Sequence, residues 1–479
     1  MMIAQGFSTN NEIEKATEEF INYFFSYHRD LSKNKVNCEI DKNKLKQLRE
    51  IGIPTQGRDI KTVVNEMVED VYQYGYSVNH PRYLGFVPGP ASMISWLGDV
   101  MTAAFNRHAG SWMSSPAANS IEQGLIKWLC EQAGFNENSG GLFVSGGSMA
   151  NLTAMTAARD EVLDEKTQHL GVAYVSDQTH SSVAKGLRII GIPDSRIRKV
   201  AVDSDFKMSA KHLEDLVQKD IRDGLVPFIV IASAGTTNTG SVDPFEVISL
   251  LCQRYGMWMH VDGAFGASVL LNKTHKHLLK GIELSDSISW DAHKWLFQTY
   301  ACGMVLVKNN KHLFNSFNVQ PEYLKDLKTE DDSFNPWDYG IELTRPTRGL
   351  KLWFTLQVMG SDGISNAIEH GFQLAKWAED ELRKNAEVEI VSAAHMSIVN
   401  FRYNPLNMTE DQKDELNQII SYKILDSGYA GIFTTELNGK KVLRICALHP
   451  GTTEMDIRGT VKLLNHFFEE AVLEGMFIS

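Results

Sequence analysis

The sequence predicts an α/β protein built on a mostly parallel sheet with helices on both faces. Three observations predict it. From about residue 140, short continuously apolar runs alternate with amphipathic stretches, the pattern of strands buried on both faces. Seven such runs occur in series, at 141–144, 172–175, 198–202, 228–232, 258–261, 287–290 and 304–308, too many to be isolated buried helices. Polar or glycine-containing motifs follow several of them directly, at the strand ends where open α/β sheets bind ligands.

The elements follow in order. Residues 12–30 carry Ile13, Ala16, Phe20, Ile21, Phe24 and Phe25 on one helical stripe, and a second helix is predicted over about 60–76. Together they form an N-terminal arm, 1–85, whose apolar stripe must be buried on another surface, a partner subunit included. The large domain, 86–385, holds the sheet, with helices at 148–161, 181–190, 211–221 and 244–255. The polar, acidic stretch 321–343 reads as a long loop of the kind that serves as a lid, and a helix follows over 348–385. The rest, 386–479, reads as a small α+β domain with strands at 388–391, 397–403 and 442–447 and helices at 409–426 and 453–470.

Composition excludes several function classes. The formal net charge of −12 argues against nucleic acid or an anionic membrane as the main partner. No apolar stretch approaches the length of about 20 residues that a membrane span needs, and the first residues lack the features of a signal peptide. Five scattered cysteines, none in a CxxC pair, indicate neither a disulfide framework nor a zinc site. A cytoplasmic enzyme is expected.

The chemistry sits in five motifs. In Ser289-Trp-Asp-Ala-His-Lys-Trp295 a lysine follows a histidine just past an apolar strand. A buried lysine must lower its pKa or bond covalently, and a Schiff base to a carbonyl cofactor meets that need; a surface lysine at a strand end is the plainer alternative. In His260-Val-Asp-Gly-Ala-Phe-Gly266, Asp262 stands where a carboxylate can face a pyridine nitrogen, and Ala264 leaves room for a flat ring. A helix cap would look the same. Val144-Ser-Gly-Gly-Ser-Met-Ala-Asn151 opens a helix with Gly147 and Ser148, which suits a phosphate held by backbone N–H groups, or a plain glycine turn. Ser176-Asp-Gln-Thr-His-Ser-Ser182 offers His180 to stack on a ring or to cap a helix. Ala234-Gly-Thr-Thr-Asn-Thr-Gly240 places the Thr236 hydroxyl at a strand edge. Each motif is modest alone, but their order along the chain (phosphate cup, His, Thr, Asp, Lys) is specific, and pyridoxal 5′-phosphate (PLP) is the cofactor it suits.

With these motifs the chain resembles the group II PLP-dependent amino-acid decarboxylases, and within them the tryptophan decarboxylases of gut bacteria. The likeness runs from about residue 60 onward and includes His80-Pro-Arg82, Ser145-Gly-Gly-Ser148, His180, Gly235-Thr-Thr237, His260-Val-Asp262, His293-Lys-Trp295 and Leu443-Arg444. It implies the aspartate-aminotransferase-like fold type I and a homodimer with shared active sites. Lys294, His180 and Asp262 are the implied catalytic residues, with Tyr339 the candidate for the loop tyrosine. Gly147, Ser148, Thr236, Ala264, Asp291 and His293 are expected around the cofactor, and Phe86, His108, Leu327 and Trp337 around the substrate. Many relatives have Asn where this chain has Asp291. The expected reaction is decarboxylation of L-tryptophan to tryptamine, with L-phenylalanine to phenethylamine second. A tyrosine-, Dopa- or glutamate-type decarboxylase, an aminotransferase and a silent binding protein are the rivals.

Overall fold

In the computed structural model, residues 11–87, 89–319 and 334–475 are described. Thirteen strands are found among them. They are β1 (Asn37–Cys38), β2 (Gly75–Tyr76), β3 (Gly140–Val144), β4 (Gly171–Ser176), β5 (Ile197–Val200), β6 (Val226–Ser233), β7 (Trp258–Asp262), β8 (Ser287–Asp291), β9 (Gly303–Val307), β10 (Val388–His395), β11 (Ile398–Tyr403), β12 (Phe433–Leu437) and β13 (Lys440–Cys446). Strands β3 to β9 are the seven apolar runs of the sequence, shifted by a residue or two at their ends.

These seven make one sheet in the order β3-β9-β8-β7-β6-β4-β5. β9 runs antiparallel to both neighbours, and the remaining pairs are parallel. β3, β4, β8 and β9 are buried along their whole length, which is why their sequences lack the alternation of a half-exposed strand. The helix Gly147–Val162 lies close over the sheet because its inner stripe is Ala150, Ala154, Ala157 and Ala158, all buried. A second sheet, β10-β11-β13-β12, is wholly antiparallel. Its helices Glu410–Ser427 and Glu454–Leu473 begin with capping boxes at Thr409 and Thr453.

Four elements differ from expectation. The stretch 60–76 is a helix only over Ile60–Met67; it passes through a π-helical turn, Val68–Tyr72, into β2, which pairs with β1. The long helix Leu350–Leu382 bends at Gly360, where φ is 68°. Helices Met93–Phe105 and Pro116–Gln132 lack a clean apolar stripe and escaped the periodicity. Most of the expected loop 321–343, with Leu327, lies outside the described residues.

The arm helix Asn11–Asp30 stacks Phe24 on Trp96 of Met93–Phe105, with 4.7 Å between ring centroids. Phe20, Tyr23, Phe25 and Tyr27 on the arm, and Leu97, Val100, Met101 and Phe105 on its neighbour, remain exposed. Among the described residues no helix is long and apolar enough to cross a membrane.

A buried ion pair ties Pro116–Gln132 to the segment before the long helix. Arg345, wholly buried, donates from Nη1 to Glu122 Oε2 at 2.7 Å and to the Ala109 carbonyl, and from Nη2 to the Phe143 carbonyl. Glu122 Oε1 accepts from the Gly349 amide at 2.6 Å. Glu122→Ala leaves the guanidinium buried without its counter-charge, which costs about 3–5 kcal/mol. Urea unfolding should show a midpoint far below that of Glu122→Gln, which retains an acceptor; equal midpoints would contradict this.

Candidate active site

The carboxyl ends of β3, β4, β6, β7 and β8 open into one cleft of about 390 Å³. Gly147, Ser148, His180, Thr236, Asp262, Ala264, Asp291, His293 and Lys294, scattered over 148 positions of sequence, all line it. A larger cavity of about 490 Å³ between Glu122, Lys127, Phe135 and Asn310 gathers none of these groups, so the chemistry belongs to the smaller one.

Helix Gly147–Val162 points its first turn at the cleft and has no side-chain cap at Gly146. Its leading N–H groups are therefore available to an anion. The cradle is tight. A Cβ at Gly147 would stand 2.9 Å from Asp291 Oδ2, and one at Gly146 2.8 Å from the His293 ring.

Asp262 ends β7. Its Oδ1 accepts from the Ala264 amide and from Ser289 Oγ, each at 3.2 Å, and its Oδ2 from Asn151 Nδ2 at 3.1 Å. The parallel register sets Ser289 opposite Asp262 and Ser287 opposite His260. Lys294 lies in the turn after β8, its Nζ 3.1 Å from Asp291 Oδ2. Asp291 is buried, and its Oδ1 has no partner within the chain. His293 Nδ1 lies 2.9 Å from the Cys302 carbonyl and 3.3 Å from the Cys302 amide. Burial lowers the His293 pKa against the pull of Asp291, keeping the imidazole neutral. His180 is both a cap and a cleft residue: it is the N-cap of helix Ser181–Ile189, and its Nδ1 accepts from the Ser182 amide at 3.2 Å.

The expected substrate residues are dispersed. Phe86 is exposed and stacks on Phe433, with centroids 4.7 Å apart, beside Val87 of the cleft wall. His108 meets the Trp337 edge at 6.2 Å elsewhere on the chain. Tyr339 does not line the cleft of its own chain. Its half-buried ring packs on Phe334 and Phe314, at 4.4 and 5.5 Å, where apolar neighbours hold it. Leu327 is outside the described residues. Cleft residues that motif reading passed over are Asn151, Gln178, Ser182, Ser233 and Thr237. Four of them, Asn151, Gln178, Ser182 and Thr237, lie inside motifs already singled out, and helical spacing i, i+4 from Gly147 could have flagged Asn151. Arg444 was also passed over as a positioning group. From β13 it donates to the carbonyls of Thr237 and Gly85, at 3.1 and 3.2 Å, clamping the small sheet to the cleft rim.

An uncapped helix N-terminus, a buried carboxylate, a small residue beside it and a lysine on a short tether suit a flat, phosphate-bearing ring with a basic nitrogen. Comparison with known proteins agrees. The pyridoxal-dependent decarboxylase conserved domain matches residues 43–404. The aromatic-L-amino-acid decarboxylase of Bacillus atrophaeus is 36% identical over 96% of both chains. The crystal structure of Oryza sativa TDC with PLP and tryptamine superposes with a TM-score of 0.91 at 26% identity, covering 96% of this chain and 98% of that one. The glutamate decarboxylase domain of a Vibrio parahaemolyticus diaminobutyrate-pyruvate transaminase and L-2,4-diaminobutyrate decarboxylase gives 0.83 at 25%, covering 97% of each.

Borohydride reduction of the PLP-loaded protein and peptide mapping should find the pyridoxyl label on Lys294, and Lys294→Ala should carry none. A label on another lysine would overturn this assignment.

Proposed function

The chain belongs to the pyridoxal-dependent decarboxylases, and from that premise we propose that it decarboxylates an aromatic L-amino acid, L-tryptophan to tryptamine foremost and L-phenylalanine to phenethylamine second. The observation that carries the choice is the aromatic rim. Exposed Phe86 stacks on half-buried Phe433 next to the cleft wall, and Arg444, 5.9 Å from the Phe86 ring centroid, is committed to the carbonyls of Thr237 and Gly85 and to the Asn238 side chain. Stacking and area burial reward an indole there, by about 2–3 kcal/mol, whereas an acidic side chain would lose hydration without a cation in return. Two relatives named above, the Bacillus and Oryza proteins, carry names that fit an aromatic substrate.

Pyridoxal phosphate, when bound, supplies a sink for the electron pair left as the Cα–carboxylate bond breaks. The residues divide the remaining work. Gly147 and Ser148 present N–H groups to the phosphate, with His293 beside them. Asp262 faces the ring nitrogen and favours its protonated form. Ala264 makes room for the ring, His180 covers it and Thr236 offers its hydroxyl at the edge. Asp291 positions the Lys294 amine, which carries the attachment. With Tyr339 of the same chain packed against Phe314 and Phe334, His180 and Lys294 are the groups in the cleft able to move a proton to Cα.

His108 Nδ1 is buried without a partner and sits against Trp337. A tyrosine substrate would need a polar partner for its hydroxyl, and the His108 ring is the candidate that keeps tyrosine as the second reading. Rates (kcat/KM) for Trp, Phe, Tyr, Dopa and Glu under identical conditions should place Trp first. Glu ahead of every aromatic would refute an aromatic pocket.

We further propose a homodimer in which Phe86 of one subunit and His108 with Trp337 of the other complete each site, consistent with the exposed apolar faces of the arm and of Met93–Phe105. Light scattering should give twice the 53.7 kDa chain mass. Co-expressed Lys294→Ala and Trp337→Ala chains should recover activity that neither has alone; a fully active monomer would end the proposal.

A further inference from the structure

His260 is wholly buried, titratable and unused by the reaction as described. It stands two residues before Asp262 on β7, so both side chains leave the same face of the strand, beneath helix Gly147–Val162. Asn151, one turn into that helix, fits between them. Its Nδ2 donates to Asp262 Oδ2 at 3.1 Å, and its Oδ1 lies 2.9 Å from His260 Nε2. On the far side, His260 Nδ1 lies 2.8 Å from Ser287 Oγ, which accepts from Trp258 Nε1 at 2.8 Å.

The direction of every bond in this row is determined. An indole N–H can only donate, so Ser287 Oγ accepts from Trp258 and keeps its own proton to give. An ionised carboxylate can only accept, so the Asn151 amide turns its NH₂ towards Asp262 and its oxygen towards His260. His260 Nε2 must then carry a proton. Complete burial pushes the imidazole pKa well below its ordinary value, so the ring is neutral and Nδ1 accepts from Ser287. The result is a one-way chain from Trp258 through Ser287, His260 and Asn151 to Asp262.

We propose that His260 is a positioning residue for the cofactor: acting through Asn151, it fixes a donor on Asp262 Oδ2, so that the carboxylate is aimed at the ring nitrogen. The inference rests on the assignment of Asp262 to that nitrogen. Any replacement for His260 must donate to the Asn151 oxygen; otherwise the amide is released to rotate and to present oxygen to a carboxylate. Glutamine can supply such an N–H, and leucine cannot.

The test compares binding of PLP with binding of its 1-deaza analogue, in which carbon replaces the ring nitrogen, by titrating stripped enzyme. Native protein should prefer PLP. His260→Leu should weaken PLP about tenfold and change the analogue less than about twofold, and His260→Gln should restore most of the preference. If His260→Leu does not fold, Asn151→Leu provides the same comparison, and thermal melting of the stripped variants reports on packing separately. Equal weakening of both ligands would reduce His260 to a packing role and overturn the proposal, as would no change in either. If native protein binds PLP and the analogue equally, the assignment of Asp262 itself falls, and that failure is distinguishable from failure of the relay.

Discussion

A carboxylate must be held in one orientation at the end of a buried strand, and much of this fold follows from that constraint. Asp262 ends β7, whose residues from Trp258 to Val261 are buried. Three donors hold its carboxylate: the Ala264 amide, Ser289 and Asn151. Each comes from a different element, so the turn after β7, the register of β8 and the depth of helix Gly147–Val162 must all be correct together. The alanine stripe that brings this helix close to the sheet also puts Asn151 within reach of Asp262. The same approach turns the uncapped helix N-terminus into the cleft.

Charge is handled differently on the other side. Lys294 and Asp291 pair at 3.1 Å, and Gly146, Gly147 and Gly303 surround Asp291 with backbone only. A Cβ at Gly303 would come within 2.5 Å of Asp291 Oδ1. The glycines at the phosphate cup therefore answer two demands at once: exposed N–H groups for an anion, and space for a carboxylate that restrains the lysine.

Apolar runs and their punctuation made the seven strands and most of their helices legible in the sequence, because strands buried on both faces leave an unbroken signal. The residues that line the cleft were legible for a related reason: in an open sheet the cleft is formed by residues that directly follow the strands, so Asp262, Asp291 and Lys294 could be read as strand-end residues. Asn151 and Arg444 were less legible. One acts from inside a helix and the other from a different sheet, and their partners Asp262 and Thr237 are more than 100 positions away. Helices Met93–Phe105 and Pro116–Gln132 were missed because polar or small residues stand on their buried faces, Ser95 and Gly98 in one and Asn119 and Glu122 in the other, and interrupt the apolar period. Tyr339 was placed by its segment alone, and segment position says nothing about which neighbours, here Phe314 and Phe334, capture a ring.

The dispersal of the substrate residues is itself informative. In one chain, Phe86 belongs with Phe433 and Arg444 at the rim of the small sheet, while His108 and Trp337 form their own pair. Neither group alone encloses an indole. His108 lies three residues beyond Met93–Phe105, the helix whose Leu97, Val100, Met101 and Phe105 are exposed. Covering that helix with a second copy would necessarily carry the His108 segment along, since the two are covalently continuous. An isologous contact does this twice, once for each site. In the proposed homodimer, the exposed apolar surface of Met93–Phe105 and the separation of Phe86 from His108 and Trp337 would have one cause: the cofactor cradle would be the work of one chain, and the walls that choose the side chain the work of two.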